Sequence, residues 1–113
     1  MRSIKDDLFN YLREFGHYEK RSMFGGTGIF IKGAMYAILT EQSMFLRGGE
    51  SLDTKLTSFN CSKFKHIKRS TTAVVNYYDV TELYLNDRAE CDELVQQSIK
   101  VSTREKEFKS SEQ

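Results

Sequence analysis

The stretch RSMFGGTGIFIKGAMYAILTEQSMFLRGG, residues 21–49, decides the fold of this chain. It contains three short runs that are rich in apolar and β-branched residues, and turn-forming residues separate them. Lys32-Gly33 joins the first run to the second, and Thr40-Glu41-Gln42 joins the second to the third. Such spacing predicts three antiparallel strands connected by tight turns. The predicted strands are 27–31, 34–39 and 43–47.

The segment before this stretch has the spacing of an amphipathic helix. Its apolar residues lie one helical turn apart, so they share one face. Gly16 follows the last of them and is typical of a helix end. The apolar residues are Ile4, Leu8, Tyr11, Leu12 and Phe15.

The segment after residue 49 predicts a short helix, two more strands and a final helix. The second of these strands is dense in β-branched and aromatic residues, which indicates a central position in the sheet. The final helix is predicted to begin at about Thr81 or at Asp87. Asp87 and Glu90 have the spacing of a capping box. The predicted elements are a helix at 51–59 and strands at 64–69 and 72–80.

The element order is therefore α-β-β-β-α-β-β-α. Hairpin-type connections predict a mainly antiparallel five-stranded sheet with the helices on one face, which is a two-layer α+β sandwich. The length of 113 residues predicts one domain. We assign residues 1–103 to this domain. Residues 104–113 form a polar tail, for which a frayed helical extension and disorder both stay open.

The charge of the chain is unevenly distributed. The formal net charge is +1, so total charge points to neither nucleic acid nor membrane. Residues 54–78 nevertheless contain five basic residues and no acidic ones, whereas residues 79–113 contain nine acidic and five basic residues. This distribution predicts two faces of opposite sign, which matter for the choice of a partner.

The sequence predicts no enzyme, cofactor or metal site. Cys61 and Cys91 lack paired metal-ligand spacing, and Cys61 with His66 leaves a metal short of ligands. The glycines at 25–28 lead into a strand, whereas phosphate-binding loops lead into a helix. No apolar run approaches the length of a membrane span, and the N-terminus does not resemble a signal peptide. We expect a cytoplasmic protein without a membrane partner.

The basic segment 63–69 allows two interpretations. Nucleic-acid bases stack on exposed aromatic rings beside cations, so the segment is a candidate nucleic-acid surface. Alternatively, it is an edge strand whose lysines keep the protein soluble. It could also be an edge strand that pairs two copies of the chain into a homodimer. The basic residues are Lys63, Lys65, Lys68 and Arg69, and the nearby aromatic residues are Phe64, Tyr77 and Tyr78.

Four motifs in this order resemble one family. The first is Arg21-Ser22-Met23-Phe24-Gly25-Gly26-Thr27-Gly28-Ile29-Phe30. The others are Met35-Tyr36-Ala37, Met44-Phe45-Leu46-Arg47 and Val75-Asn76-Tyr77-Tyr78. The motifs resemble the N-terminal domain of TfoX/Sxy proteins, bacterial regulators of natural competence, and the resemblance covers about residues 3–103.

The resemblance implies a fold like that of secretion chaperones. It also implies a role in transcription, in which family members act with the cyclic-AMP receptor protein at promoters of DNA-uptake genes, and it implies no catalytic or cofactor residues. Longer members have a second, helical domain, whereas this sequence ends at Gln113.

We therefore predict a non-enzymatic transcriptional co-regulator that acts through protein contacts, with the cyclic-AMP receptor protein or the RNA polymerase machinery as partner. Direct DNA contact through residues 63–69 and a chaperone-like dimer are the alternatives. Arg21 and Arg47 are the predicted interaction residues, and Arg47→Ala is expected to weaken binding without changing the melting temperature. The residues predicted to shape the turn and core are Arg21, Met23, Phe24, Gly25, Gly26, Gly28, Tyr77 and Tyr78.

Overall fold

The computed structural model describes residues 3–23, 25–68 and 71–111, without the side chains of 66–68, 71–74 and 108–111. The helices are α1 (Lys5–Arg13), α2 (Leu52–Ser58), α3 (Thr81–Asn86) and α4 (Arg88–Ser111). The strands are β1 (Glu19–Met23), β2 (Gly26–Ile31), β3 (Ala34–Leu39), β4 (Met44–Arg47), β5 (Lys63–Lys68) and β6 (Thr71–Asp79).

The strands form one antiparallel sheet in the order β1-β2-β3-β4-β6-β5. The predicted α+β fold with a mainly antiparallel sheet is confirmed, but the sheet has six strands and not five. The additional strand is β1, a segment for which the sequence analysis predicted no helix or strand. Its residues Glu19 to Ser22 are all exposed, so an apolar alternation that would mark a strand is missing.

The helices pack against one face of the sheet, as predicted. Leu8 and Leu12 of α1, with Leu94 and Val95 of α4, lie in the same buried core as sheet residues such as Leu46. The opposite face, which we call the outer face, has its own apolar cluster. No residue of a described helix belongs to this outer-face cluster, which consists of Met35, Ile38, Phe45, Phe64, Val75 and Tyr77.

A β-bulge in β3 divides its side chains between the two faces. Ile29 pairs with Ala37 and Phe30 pairs with Met35, so Tyr36 is an extra residue on the β3 side. A bulge of this kind turns two consecutive side chains toward the same face. Tyr36 and Ala37 accordingly both join the core under the helices, and the apolar run of β3 supplies both faces.

Both predicted starts of the final helix occur in the structure, because two helices follow β6. Asp87 separates α3 from α4, and its carboxylate accepts a hydrogen bond from the backbone N–H of Glu90 at 3.3 Å. Acceptance of an N-terminal amide by an Asp side chain is how such a cap stabilises a helix start. From this start α4 continues to Ser111.

Candidate interaction surface

The first family motif forms the β1–β2 hairpin. Met23 and Gly26 are the last paired residues before the turn, and Gly25 within it has a φ of +78°. A positive φ of this size favours glycine, because a Cβ atom would clash with the backbone. Phe24 lies outside the described residues.

Gly26 and Gly28 allow close packing within β2. A Cβ atom on Gly26 would lie 2.6 Å from the carbonyl oxygen of Leu39 in the neighbouring strand. A Cβ atom on Gly28 would lie 2.6 Å from the sulfur of Met35 and 3.1 Å from the Phe30 ring. The glycines therefore fill positions where a larger residue would disturb the sheet.

Arg21 lies on the outer face at one edge of the sheet. It pairs with Gly28 across the ladder, and its guanidinium carbon lies 4.8 Å from the centre of the Phe30 ring. This is a cation–π arrangement. No ion pair within the described part of the chain involves Arg21, so its charge is available to a partner.

Arg47 has a different environment from Arg21. It forms an ion pair with Glu105 of α4, and only 25% of its side chain is exposed. The buried Ser98 hydroxyl lies 2.9 Å from the Arg47 carbonyl oxygen and 3.1 Å from that of Tyr36, which also fixes α4 to the sheet. Arg47 therefore connects β4 to α4, a structural role that the sequence did not reveal.

Tyr77 and Tyr78 point to opposite faces of β6. Tyr78 lies in the core under the helices, whereas Tyr77 belongs to the outer-face cluster. The Tyr77 hydroxyl donates a hydrogen bond to the carbonyl oxygen of Met35 at 2.9 Å, and burial raises the pKa of Tyr77 to about 12. With 7% and 4% exposure, neither ring is accessible for base stacking.

Lys63 and Lys65 are exposed on β5, at the sheet edge opposite to β1. Five strand spacings separate the two edges, which corresponds to roughly 24 Å. Phe64 between the two lysines is 7% exposed. The side chain of Lys68 and all of Arg69 lie outside the described residues. The predicted interaction residues therefore belong to separate surfaces, one at each edge, with Arg47 between them.

A groove that the sequence analysis missed lies between α1 and β1. Its volume is about 360 Å³. The Lys20 ammonium lies 4.8 Å from the centre of the Phe9 ring, and Lys5 is 3.7 Å from Glu41. The sequence signal was weak, because Lys20 lies in a segment for which no helix or strand was predicted. The groove is lined by Lys5, Phe9, Lys20, Arg21, Ser22 and Thr27.

The two cysteines and a cleft beside one of them are further features of the described residues. Burial raises the pKa of Cys61 and of Cys91 to about 11, so both remain protonated thiols at neutral pH. A cleft of about 450 Å³ beside Cys61 contains Asp79, but that carboxylate accepts hydrogen bonds from the N–H and hydroxyl groups of Thr81. Among the described side chains, no three His, Cys, Asp or Glu residues are grouped to hold a metal ion.

Among the helices of the described residues, none has the length and the hydrophobicity that a membrane span requires.

Two comparisons with known proteins agree with each other. The family model described as the TfoX N-terminal domain matches residues 10–102. The chain is also 39% identical, over all of its 113 residues, to a protein of Aliivibrio fischeri named DNA transformation protein TfoX1. The match covers 54% of that relative, so the chain spans about half the length of the curated protein that it resembles.

Proposed function

This chain belongs to the TfoX family, whose N-terminal domain it contains, and we propose that it is a non-enzymatic protein-binding module in the regulation of competence genes. The name of the Aliivibrio relative refers to DNA transformation, which supports a competence-related role. The role in transcription, and the cyclic-AMP receptor protein or RNA polymerase as partner, are part of the same proposal.

The outer face of the sheet is the observation that supports protein contacts most strongly. The helices cover the other face, and Met35, Phe45 and Val75 remain partly exposed on the outer one. Arg21 lies at the edge of this apolar surface with no described ion-pair partner. Contiguous apolar surface beside polar residues is typical of protein-binding sites, and arginine is enriched in such interfaces.

The test is a fluorescence anisotropy titration on labelled promoter DNA that contains a site for the cyclic-AMP receptor protein. The chain is added with and without that receptor, at low and moderate salt. The proposal predicts that the chain tightens receptor binding to DNA and has little affinity for the DNA alone. No change in receptor affinity at any concentration of the chain would contradict it.

A matched pair of variants locates the contact. Phe45→Ser removes a partly exposed ring from the outer face, whereas Leu85→Ser removes an apolar side chain that is 59% exposed on α3 in the helical layer. The proposal predicts loss of the effect with Phe45→Ser and its retention with Leu85→Ser, while both variants remain folded. Equal effects of the two variants would place the contact elsewhere.

Direct nucleic-acid binding through β5 is the second candidate. Lys63 and Lys65 are exposed on an edge strand, and no ion pair within the described residues involves them. Phosphate contacts by lysine release counterions, so this mechanism predicts affinity that falls steeply with salt. Salt-sensitive binding by the chain alone, lost in Lys63→Glu/Lys65→Glu, would favour it over the protein-contact proposal.

A further inference from the structure

The outer edge of β1 combines three features. Residues Glu19 to Ser22 are all exposed, and the groove beside α1 runs along β1. Among the strands of the described residues, β1 has a sheet neighbour on one side only. Alternate residues of an edge strand direct their backbone N–H and C=O groups away from the sheet, where another strand can pair with them. The edge is therefore available for strand addition.

The charges along this edge select the kind of strand that fits. Lys20 pairs with Ile29 and lies on the helical side, whereas Arg21 pairs with Gly28 and lies on the outer face. The ion pairs within the described residues include neither cation. A strand added beside β1 would meet Lys20 on one face and Arg21 on the other, with Glu19 on the same face as Arg21. Acidic side chains would therefore be favoured at the positions that face the two cations.

The groove adds an apolar contact. Phe9 is half-buried in the groove, with the Lys20 ammonium 4.8 Å from the centre of its ring and Lys5 also in the lining. A side chain of an added strand that points toward the helices would enter this space. An apolar residue there would contact Phe9, with acidic neighbours close to Lys20 and Arg21.

We infer that the β1 edge, together with the groove formed by Lys5, Phe9, Lys20 and Arg21, binds an extended acidic segment of a partner protein by adding it to the sheet. This inference deepens the proposed function, because it assumes that the chain works by protein contacts. Main-chain hydrogen bonds provide affinity in this binding mode, and alternate side chains provide specificity.

Pairing of either sheet edge with the same edge of a second copy of the chain would bring like charges together, so an acidic segment fits better than a second copy. Pairing of β5 with β5 would bring the exposed Lys63 and Lys65 of two copies together. Lysines on edge strands oppose this kind of self-association. At the β1 edge, pairing around Arg21 would likewise place two arginines opposite each other, and like charges directly opposite are destabilising.

The test measures the fluorescence anisotropy of fluorescein-labelled eight-residue peptides at 50 and 300 mM salt. The Debye length is roughly 14 Å at the lower salt concentration and roughly 6 Å at the higher one. The first peptide repeats Glu-Glu-Val-Val, which places glutamate and valine on both faces of an extended strand, and the second repeats Lys-Lys-Val-Val. The third is the first with N-methyl groups on every residue, which removes the backbone donors along both edges. The inference predicts that only the first of the three peptides binds, and that its affinity is weaker at the higher salt concentration.

Charge reversal identifies the surface. Lys20→Glu/Arg21→Glu is expected to raise the Kd of the glutamate peptide about tenfold or more, because the ion pairs that the peptide forms with both cations are lost. Lys100→Glu, an exposed charge on α4, is the matched control and should leave the Kd unchanged. If the double variant does not fold, the N-methylated peptide still decides, because it requires no mutation.

Three results would overturn the inference. They are equal binding of the lysine peptide, equal binding of the N-methylated peptide, and an unchanged Kd in the folded double variant. Tighter binding of labelled duplex DNA than of the glutamate peptide, with the same dependence on Lys20 and Arg21, would assign this edge to nucleic acid. The peptide titration contains neither the receptor nor the promoter DNA. A negative result would therefore overturn this inference only, and the proposed function would still be tested by the promoter titration.

Discussion

Arg21 and Phe30 lie on neighbouring strands, with the guanidinium carbon of Arg21 4.8 Å from the centre of the Phe30 ring. Gly28 makes this arrangement possible, because it pairs with Arg21 and a Cβ atom there would lie 3.1 Å from the ring. The first family motif therefore does more than form a turn. It places a cation without a described ion-pair partner above an aromatic ring at the edge of the outer face.

Arg21→Ala is expected to reduce partner binding with little loss of stability. An exposed cation–π contact contributes about 0.5–1 kcal/mol, so the free energy of unfolding should fall by no more than that. Arg21→Lys keeps the charge and should retain more of the binding than alanine does. Denaturant unfolding and the promoter titration measure the two effects. A large loss of stability with unchanged binding would make Arg21 a structural residue.

Gly26→Ala is expected to destabilise the protein more than Gly28→Ala. The new methyl group at position 26 would meet a backbone carbonyl oxygen of β3 at 2.6 Å, which only a shift of the strands can relieve. At position 28 it would meet the Met35 side chain, which can change rotamer. Overpacking costs suggest about 3 kcal/mol for the first and about 1 kcal/mol for the second. Denaturant unfolding of both variants tests the order, which a reversed ranking would refute.

Arg47→Ala is now expected to lower stability, in contrast to the expectation from the sequence. The ion pair with Glu105 joins β4 to α4 and is partly buried. A double-mutant cycle with Glu105→Ala should give a coupling free energy of about 1 kcal/mol. The measurement is denaturant unfolding of the two single variants and the double variant. Additive effects would mean that the pair does not stabilise the fold.

Stability is expected to fall at alkaline pH. Burial raises the pKa of Cys61 and Cys91 from 9 to about 11 and that of Tyr77 from 10 to about 12. The folded state therefore holds protons that the unfolded state has released, so the free energy of unfolding decreases with rising pH. The stabilisation that these three protonated groups give the folded state is complete below pH 9 and is lost between pH 9 and 12. Denaturant midpoints at pH 7, 9 and 10.5 measure this decrease, and a constant midpoint would argue against it.

The sequence predicted the fold wherever apolar spacing reports burial. β3 was predicted with its observed bounds, and β2 and β4 differ by one residue at their starts. β1 was missed because its edge position leaves its side chains exposed, and exposed strands lack the alternation on which prediction depends. The bulge at Tyr36 was also missed, because an apolar run with no polar residues does not show where the facing changes.

The candidate surface was harder to predict than the fold, because it depends on contacts between distant residues. Arg21 was selected from its motif, but Lys20 and Phe9 meet only when β1 packs beside α1. The partner of Arg47 lies 58 positions further along the chain. No local pattern distinguishes an arginine that is paired in this way from one whose charge is available.

Hydrogen–deuterium exchange of the chain, alone and in the presence of the cyclic-AMP receptor protein on promoter DNA, tests the central claim most directly. The claim is that the chain binds proteins through the β1 edge and the outer face. We predict slower exchange in β1 and in β3 and β4, the strands that contain Met35 and Phe45 of the outer face, on complex formation. Protection confined to β5, or the same protection with promoter DNA alone, would contradict this account and assign the contact to nucleic acid.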